Sequence, residues 1–379
     1  MIYLDNAATS FPKAPGVAEA VARQIAGGGG SAGRASHALA LDASRVLFEA
    51  REELARLFGL GDARRLVFCK NATEALNLAI LGAVPEGGRV ATSGLEHNSV
   101  MRPLRRLESA RGARIRVFGC DAEGRPDPSA FAAALAEKPD LVVVTAASNV
   151  TGALLPVGEI AESCRRIGAA ICVDGSQIAG HARLDVDALG LDYFCFSGHK
   201  GLLGPGGTGG LCLGPEALPE PLLRGGTGSA SESEDQPEEL PDRYEAGTQN
   251  VPGIAGLLAA TRFLTGTGLE TVRSREAALT ERLLRGLAGL PGATLYGPPP
   301  RVPRAPIVSL AAAGIDLGRL ARELDLRGIA VRAGLHCAPA AHRAIGTFDR
   351  GGTLRLSPGF FTTEGEIDQT LGAMEELLR

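Results

Sequence analysis

Seven short runs of apolar, often β-branched residues, the first five separated by longer stretches with helical apolar spacing, restrict this chain more than any other feature. The runs fall at 66–70, 89–93, 114–118, 141–146, 170–174, 193–197 and 209–213, and the stretches between them at 74–83, 99–110, 129–137 and 157–167. Strands that alternate with helices in this way belong to a mostly parallel sheet covered on both faces, so an α/β fold is predicted. A further helix is expected at 41–58. Residues 229–250 break the rhythm with an acidic loop rich in Ser, Glu and Pro, and 251–264 reads as a helix leaving the sheet. Beyond it, strands near 306–310, 328–332 and 353–357 alternate with helices near 270–290, 316–327 and 363–378, a second and smaller α/β unit. The expected division is a large domain over 15–262 and a small one made of 1–14 with 263–379. No internal repeat of solenoid period is present.

With 379 residues, 45% of them hydrophobic and 22% charged, the chain can bury a large core. Its net charge is only -4 and the signs are mixed throughout, so neither a basic stripe for nucleic acid nor a polybasic membrane patch is present. The opening Met-Ile-Tyr-Leu-Asp-Asn lacks a basic segment ahead of an apolar one, and no apolar run is long enough to span a bilayer. The seven cysteines have no Cys-x-x-Cys spacing; Cys69, Cys172, Cys195 and Cys212 lie inside apolar runs and read as reduced core residues of a cytoplasmic protein.

Two of the runs end in chemistry. Ala169-Ala-Ile-Cys-Val-Asp174 places a carboxylate at the C-terminal end of a parallel strand, where it can keep a pyridinium nitrogen protonated. Tyr193-Phe-Cys-Phe-Ser-Gly-His-Lys200 places an amine after the next run, followed by Gly-Pro-Gly-Gly-Thr-Gly-Gly at 204–210. The 39 basic residues include only four lysines, Lys13, Lys70, Lys138 and Lys200, and guanidinium cannot form an imine. Asp174 and Lys200 are thus the pair that pyridoxal phosphate chemistry requires. A solvated surface lysine is the bland alternative, which the apolar run before Lys200 disfavours. The glycine-rich stretch does not open a βαβ unit with an acid some twenty residues on, so a dinucleotide fingerprint is excluded.

Polar groups in the loops after the other runs suit the same cofactor. In Asn71-Ala-Thr-Glu-Ala, the Ala72 and Thr73 backbone N–H groups and the Thr73 hydroxyl could cradle a phosphate at a helix N-terminus, although a plain threonine N-cap reads equally well locally. His97 is placed to stack on a flat ring; Asn149 and Gln177 could reach the ring's phenolic oxygen; Ser197 and His199 suit the phosphate.

A second informative segment is Arg332-Ala-Gly-Leu-His-Cys-Ala-Pro339. Here Cys337 lies on a loop after a strand, beside His336, so an exposed thiolate nucleophile close to a base is expected. A metal site of His336, Cys337 and His342 would lack a fourth ligand. Arg355, in Thr353-Leu-Arg-Leu-Ser, offers a guanidinium fork for an α-carboxylate, the alternative being a solvated surface charge.

Together, Val173-Asp-Gly-Ser-Gln177, Phe196-Ser-Gly-His-Lys200, Glu245-Ala-Gly-Thr-Gln-Asn250 and Arg332-Ala-Gly-Leu-His-Cys-Ala338 resemble the cysteine desulfurases of the class V aminotransferase superfamily, the fold type I pyridoxal phosphate enzymes. The likeness runs from Tyr3-Leu-Asp-Asn-Ala-Ala to the C-terminal helix and favours the group II (SUF-type) branch. It implies that Lys200 forms the Schiff base, Asp174 partners the pyridinium, His97 stacks on the ring and carries protons, and Cys337 becomes a persulfide. Thr248 would reach the phosphate of the other subunit of a homodimer. His37, in Arg34-Ala-Ser-His, matches a pocket histidine, and Arg332 and Asn149 join Arg355 on the substrate. The implied reaction binds L-cysteine through its carboxylate at Arg355, uses Lys200 to remove the α-proton, moves sulfur to Cys337, with His97 or His336 tuning the proton traffic, and releases L-alanine, the sulfur then passing to an acceptor protein in iron–sulfur assembly or another sulfur pathway. Four departures stand out: Ala72 where a second hydroxyl is common, Leu335 where a second histidine is common, the acidic stretch 229–243, and Ser357-Pro-Gly-Phe-Phe. A selenocysteine lyase shares the scaffold, a kynureninase-like hydrolase or an epimerase leaves Cys337 without a task, and a silent dimeric scaffold leaves the whole set without one.

Overall fold

A computed structural model describes residues 1–379 apart from Gly29 and Arg34. The chain opens with β1 (Ile2–Tyr3), then α1 (Val17–Gly27) and α2 (Ala38–Leu57). The alternation expected from the apolar runs follows: β2 (Leu66–Cys69), α3 (Ala72–Ala83), β3 (Arg89–Ser93), α4 (Asn98–Arg111), β4 (Arg114–Phe118), α5 (Pro128–Ala136), β5 (Leu141–Thr145), α6 (Val157–Ile167) and β6 (Ala170–Asp174). After a one-turn α7 (Val186–Leu189) come β7 (Tyr193–Ser197) and β8 (Gly209–Leu213). Local chemistry sets the helix ends. Asn71 caps α3 by accepting from Glu74 N, and α4 and α6 stop at Gly112 and Gly168, whose positive φ of 64° and 70° suits glycine.

These strands form one seven-stranded sheet in the order β2-β8-β7-β6-β5-β3-β4, parallel throughout except β8, which runs against both neighbours. β5, Leu-Val-Val-Val-Thr, is buried at every residue, as expected of a parallel strand covered on both faces. Two cores result, one on each face: Phe118, Phe194 and Phe196 belong to one, Leu76, Ile80 and Leu104 to the other. The strand order reverses between β3 and β5, and a crevice opens there at the C-terminal strand ends.

No helix or strand interrupts 214–250, so the acidic loop is a loop. It is anchored by Glu245, whose carboxylate takes both Arg51 Nη atoms at 2.8 Å and Phe68 N at 2.7 Å. The rest comprises α8 (Val251–Thr267), α9 (Leu269–Ala288), β9 (Ala293–Tyr296), β10 (Val308–Ala312), α10 (Leu317–Leu326), β11 (Ile329–Ala330), β12 (Arg332–Gly334), α11 (Pro339–Ala344), β13 (Thr353–Leu356) and α12 (Glu364–Leu378). An antiparallel sheet β12-β13-β10-β9 packs Val308, Leu310, Leu354 and Leu356 against leucines of α9 and α10 and Met374 of α12. β1 pairs in parallel with β11, so Ile2 and Leu4 join this core. The single strand expected near 328–332 is thus two short ones, each with its own partner: β11 beside β1, and β12 beside β13.

Candidate active site

The crevice encloses about 230 Å³. From the large sheet it receives Asp174 at the end of β6, Lys200 three residues beyond β7, His97 at the head of α4 and the Ala72–Thr73 turn; from the antiparallel sheet it receives Arg332 and Arg355. Asn149, Gln177, Ser197 and His199 line it as well.

Low dielectric sets the protonation states. Burial lowers Lys200 to about 8, against the pull of the Asp174 carboxylate and with help from Arg355 and Arg332. An amine so placed is a usable nucleophile and base near neutrality. Burial also takes His97 to about 4, Asp174 opposing, and His199 to about 4, reinforced by Lys200 and Lys13. Both imidazoles are therefore neutral rings at neutral pH. His97 caps α4: its Nδ1 accepts from Ser99 N at 3.0 Å.

The hydrogen bonds change several sequence-based expectations. The cap of α3 is Asn71, not Thr73; the Thr73 hydroxyl is shared with Ser99 Oγ at 2.8 Å, and Ala72 N donates to Ser197 Oγ at 3.0 Å. Of the two amides offered to a phosphate, Ala72 is engaged, whereas no partner of Thr73 N lies among the described residues. Asn149 Nδ2 donates to His336 O at 2.8 Å and Gln177 Nε2 to Ala7 O at 3.0 Å, so each primary amide retains one N–H. Asp174 Oδ1 accepts from Ser176 N at 2.9 Å.

Cys337 is exposed, as expected, but its neighbour in sequence, His336, does not serve as its base. His336 and Cys337 are both in the left-handed region, φ 47° and 57°, which turns the histidine inward: its Nε2 lies 3.1 Å from Thr353 O and Oγ1, and its ring packs on His342 at 5.6 Å. Burial and the nearby Arg355 push His336 down to about 2, so it stays neutral and cannot hold the thiol's proton. What reaches the sulfur is Arg332, Nη2 to Sγ 3.7 Å, a cation suited to a thiolate.

Arg355 is 1% exposed. Its Nη1 donates to Asn149 O at 3.0 Å, its Nη2 to Asp5 Oδ1 at 2.7 Å, and its buried Nε has no partner among the described residues. Asp5 is a site residue that sequence reasoning did not single out, although its segment was part of the resemblance. Two residues lie away from this crevice. His37 is exposed and caps α2 through Ala40 N at 3.3 Å; Arg34 of the same segment is outside the described residues. Thr248 is exposed on a separate surface hollow with Lys70 and Gln249.

A doubly wound sheet with a lysine, a carboxylate and two arginines at its switch point defines a class, and the chain belongs to the class-V aminotransferase family, whose sequence profile matches residues 2–370. Among its relatives, a probable cysteine desulfurase of Methanothermobacter thermautotrophicus is 35% identical over 99% of this chain and 94% of its own length. Another from Synechocystis is 34% identical over 100% and 91%. The apo structure of a cysteine desulfurase from Thermococcus onnurineus superposes with a TM-score of 0.91 at 33% identity, covering 100% of this chain and 94% of that one. An Escherichia coli cysteine desulfurase solved as an S-sulfonic acid gives 0.89 at 28%, covering 100% and 95%.

Proposed function

We propose that the chain is a pyridoxal phosphate-dependent cysteine desulfurase that converts L-cysteine to L-alanine and carries the sulfur as a persulfide on Cys337. The carrying observation is an exposed cysteine on a left-handed turn, its sulfur 3.7 Å from Arg332, a residue that lines the same crevice as Lys200 and Asp174. The residues fit the cofactor: a lysine lowered to about 8, a carboxylate at a strand end, a neutral ring at His97 and, at the start of α3, a Thr73 N–H that no neighbour takes. Bound there, pyridoxal phosphate supplies an electron sink for charge developing on the substrate α-carbon.

The protein groups then have distinct tasks. Arg355 holds the α-carboxylate through Nε and its neighbouring amino group. Lys200, as neutral amine, takes the α-proton. The Cys337 thiolate attacks the substrate sulfur; the substrate C–S bond breaks, and a proton returned to the carbon completes L-alanine, leaving Cys337 one sulfur richer. Net, L-cysteine and the Cys337 thiol give L-alanine and the persulfide.

The exposed apolar side chains Leu41, Phe48, Leu222 and Leu223, together with the surface position of Thr248, support a homodimer in which Thr248 completes the partner's site. An acceptor protein would collect sulfur at the exposed Cys337. No described helix is long and apolar enough to cross a membrane, and the seven free cysteines support a cytoplasmic location. The packing of Ile2 and Leu4 with 279–374 supports a small domain of 1–14 with 263–379 beside a large one of 15–262.

The test uses Cys337→Ser. The variant should keep its cofactor and colour, form no persulfide and release almost no alanine, while mass spectrometry of wild type after one turnover without reductant finds added sulfur on the Cys337 peptide. An unmodified peptide, with alanine still accumulating in the variant, assigns the chain instead to a lyase that does not use the cysteine.

A further inference from the structure

Arg332 and Arg355 are directly opposed cross-strand partners on β12 and β13, and both enter the crevice. Like charges facing each other across a ladder destabilise the sheet unless anions compensate. Arg332 is only half-buried, so water screens its charge, and its Nη2 meets the Cys337 sulfur at 3.7 Å. For Arg355, almost wholly buried, the compensating anion before any substrate arrives is Asp5. A buried guanidinium without a counter-ion is strongly disfavoured, so this ion pair is what lets Arg355 wait in the crevice.

Asp5 is held from both sides. It bridges in parallel with Ser357, whose Oγ accepts from Ala7 N at 3.0 Å, and Asn6 Nδ2 donates to Ser357 O at 3.0 Å. Further along, Ser10 N at 2.9 Å, Lys13 Nζ at 3.0 Å, Thr9 Oγ1 at 3.1 Å and Ser10 Oγ at 3.2 Å all converge on the carbonyl of His199, beside Lys200. The Asp5 backbone is therefore pinned beside Arg355, and its carboxylate has Nη2 as its partner before another carboxylate approaches. With its side chain 22% exposed, it stays on Nη2 while the incoming carboxylate is left the unpartnered Nε and the remaining Nη2 hydrogen.

We propose that Asp5 is a positioning residue that acts as a resident stand-in for the substrate carboxylate, holding Arg355 in place when the site is empty and weakening the grip on substrate and product by sharing that guanidinium with them. The proposal rests on the reading of Arg355 as the carboxylate anchor. Two carboxylates on one guanidinium repel, and at a partly solvated site that repulsion amounts to about tenfold in affinity. The benefit is release: L-alanine carries the same carboxylate as L-cysteine, so a tighter anchor would retain product as well as substrate.

Two variants separate this role from a merely structural one. Asp5→Asn keeps an acceptor oxygen for Nη2 but removes the charge, so KM for L-cysteine and the inhibition constant for L-alanine should both fall about tenfold with no rise in kcat. Asp5→Ala removes the acceptor too, and KM should rise as Arg355 loses its orientation. A readout independent of turnover is chemical rescue: acetate, compared with chloride at equal ionic strength, should raise the melting temperature of cofactor-free Asp5→Ala and Asp5→Asn protein, in both of which Arg355 has lost its counter-charge, and leave cofactor-free wild type unmoved. An unchanged or raised KM in Asp5→Asn, or no acetate effect in Asp5→Ala, overturns the proposal. If the desulfurase reading itself is what fails, wild type makes neither alanine nor persulfide, yet the acetate comparison still reports on Asp5 and Arg355.

Discussion

Cofactor uptake offers a direct reading of the electrostatics around Lys200. Only the neutral amine can attack the aldehyde of pyridoxal phosphate, so the rate at which cofactor-free protein acquires it follows the neutral fraction of that one side chain. Burial lowers Lys200 from the ordinary 10.5 to about 8, Asp174 resisting and Arg355 and Arg332 assisting. At about pH 7.5 such a lysine is neutral in about a quarter of molecules, against about one in a thousand for an unperturbed one, a gain of roughly 240-fold. Protein stripped of cofactor, mixed with excess pyridoxal phosphate and followed by absorbance above about 400 nm, should therefore gain rate about tenfold per pH unit below about 7 and level off by about pH 9. Asp174→Asn should move the bend to lower pH, because the carboxylate is the group holding the ammonium on. Lys200→Ala should give no band. A rate that keeps climbing log-linearly to about pH 10 would show that the crevice does not lower Lys200, and the account of its floor would be wrong.

Arg355→Ala should mainly raise KM for L-cysteine, whereas Asp174→Ala should mainly cut kcat, since only the latter removes an interaction that strengthens as charge develops; equal effects on both parameters in both variants would refute the division of labour. Acid should loosen the cysteine loop. Burial lowers His336 to about 2 and His342 to about 4, so between about pH 6.5 and 4 the unfolded chain binds protons that the folded one refuses, and unfolding gains about 2 kcal/mol per histidine by pH 5. Urea titrations of wild type, His336→Gln and His342→Gln across that range should give a shallower pH slope in each variant, and coincident slopes would sink the idea. Gly180→Ala should destabilise by at least about 3 kcal/mol and blunt cofactor uptake, since Gly180 has φ 90° and a Cβ there would lie 2.2 Å from Gly201 O, next to Lys200; a soluble variant with wild-type melting and uptake would contradict this.

The sheet was legible because its strands are nearly pure local signals. The runs 89–93, 114–118, 170–174, 193–197 and 209–213 coincide with strands β3, β4, β6, β7 and β8 residue for residue; four are buried almost throughout, and β4, where only Phe118 is buried, shows instead through its β-branched and aromatic residues. Elements that bury little escaped. In α1 only Val17 is fully buried, and β9 has no fully buried residue, so neither leaves a strong pattern to read. At the site, Asp174 and Lys200 stood out because a carboxylate and an amine closing apolar runs are chemically odd. His336 is adjacent to Cys337 in sequence but not paired with it in space, because two successive left-handed residues turn its ring away from the sulfur. Asp5 had no local mark at all, being 350 residues from the arginine it serves.

The pairing of β1 with β11 also fixes the order of events at the ribosome. Residues 2–3 are made long before their hydrogen-bonding partners at 329–330, a delay on the order of tens of seconds at ordinary elongation rates. For that interval this segment is an unpaired edge with Ile2 and Leu4 uncovered, a natural substrate for holding chaperones. Assembly of the crevice consequently waits for residues 329–357: the sheet can collapse early, but Asp5 and Arg355 are fixed against each other only once that stretch is made.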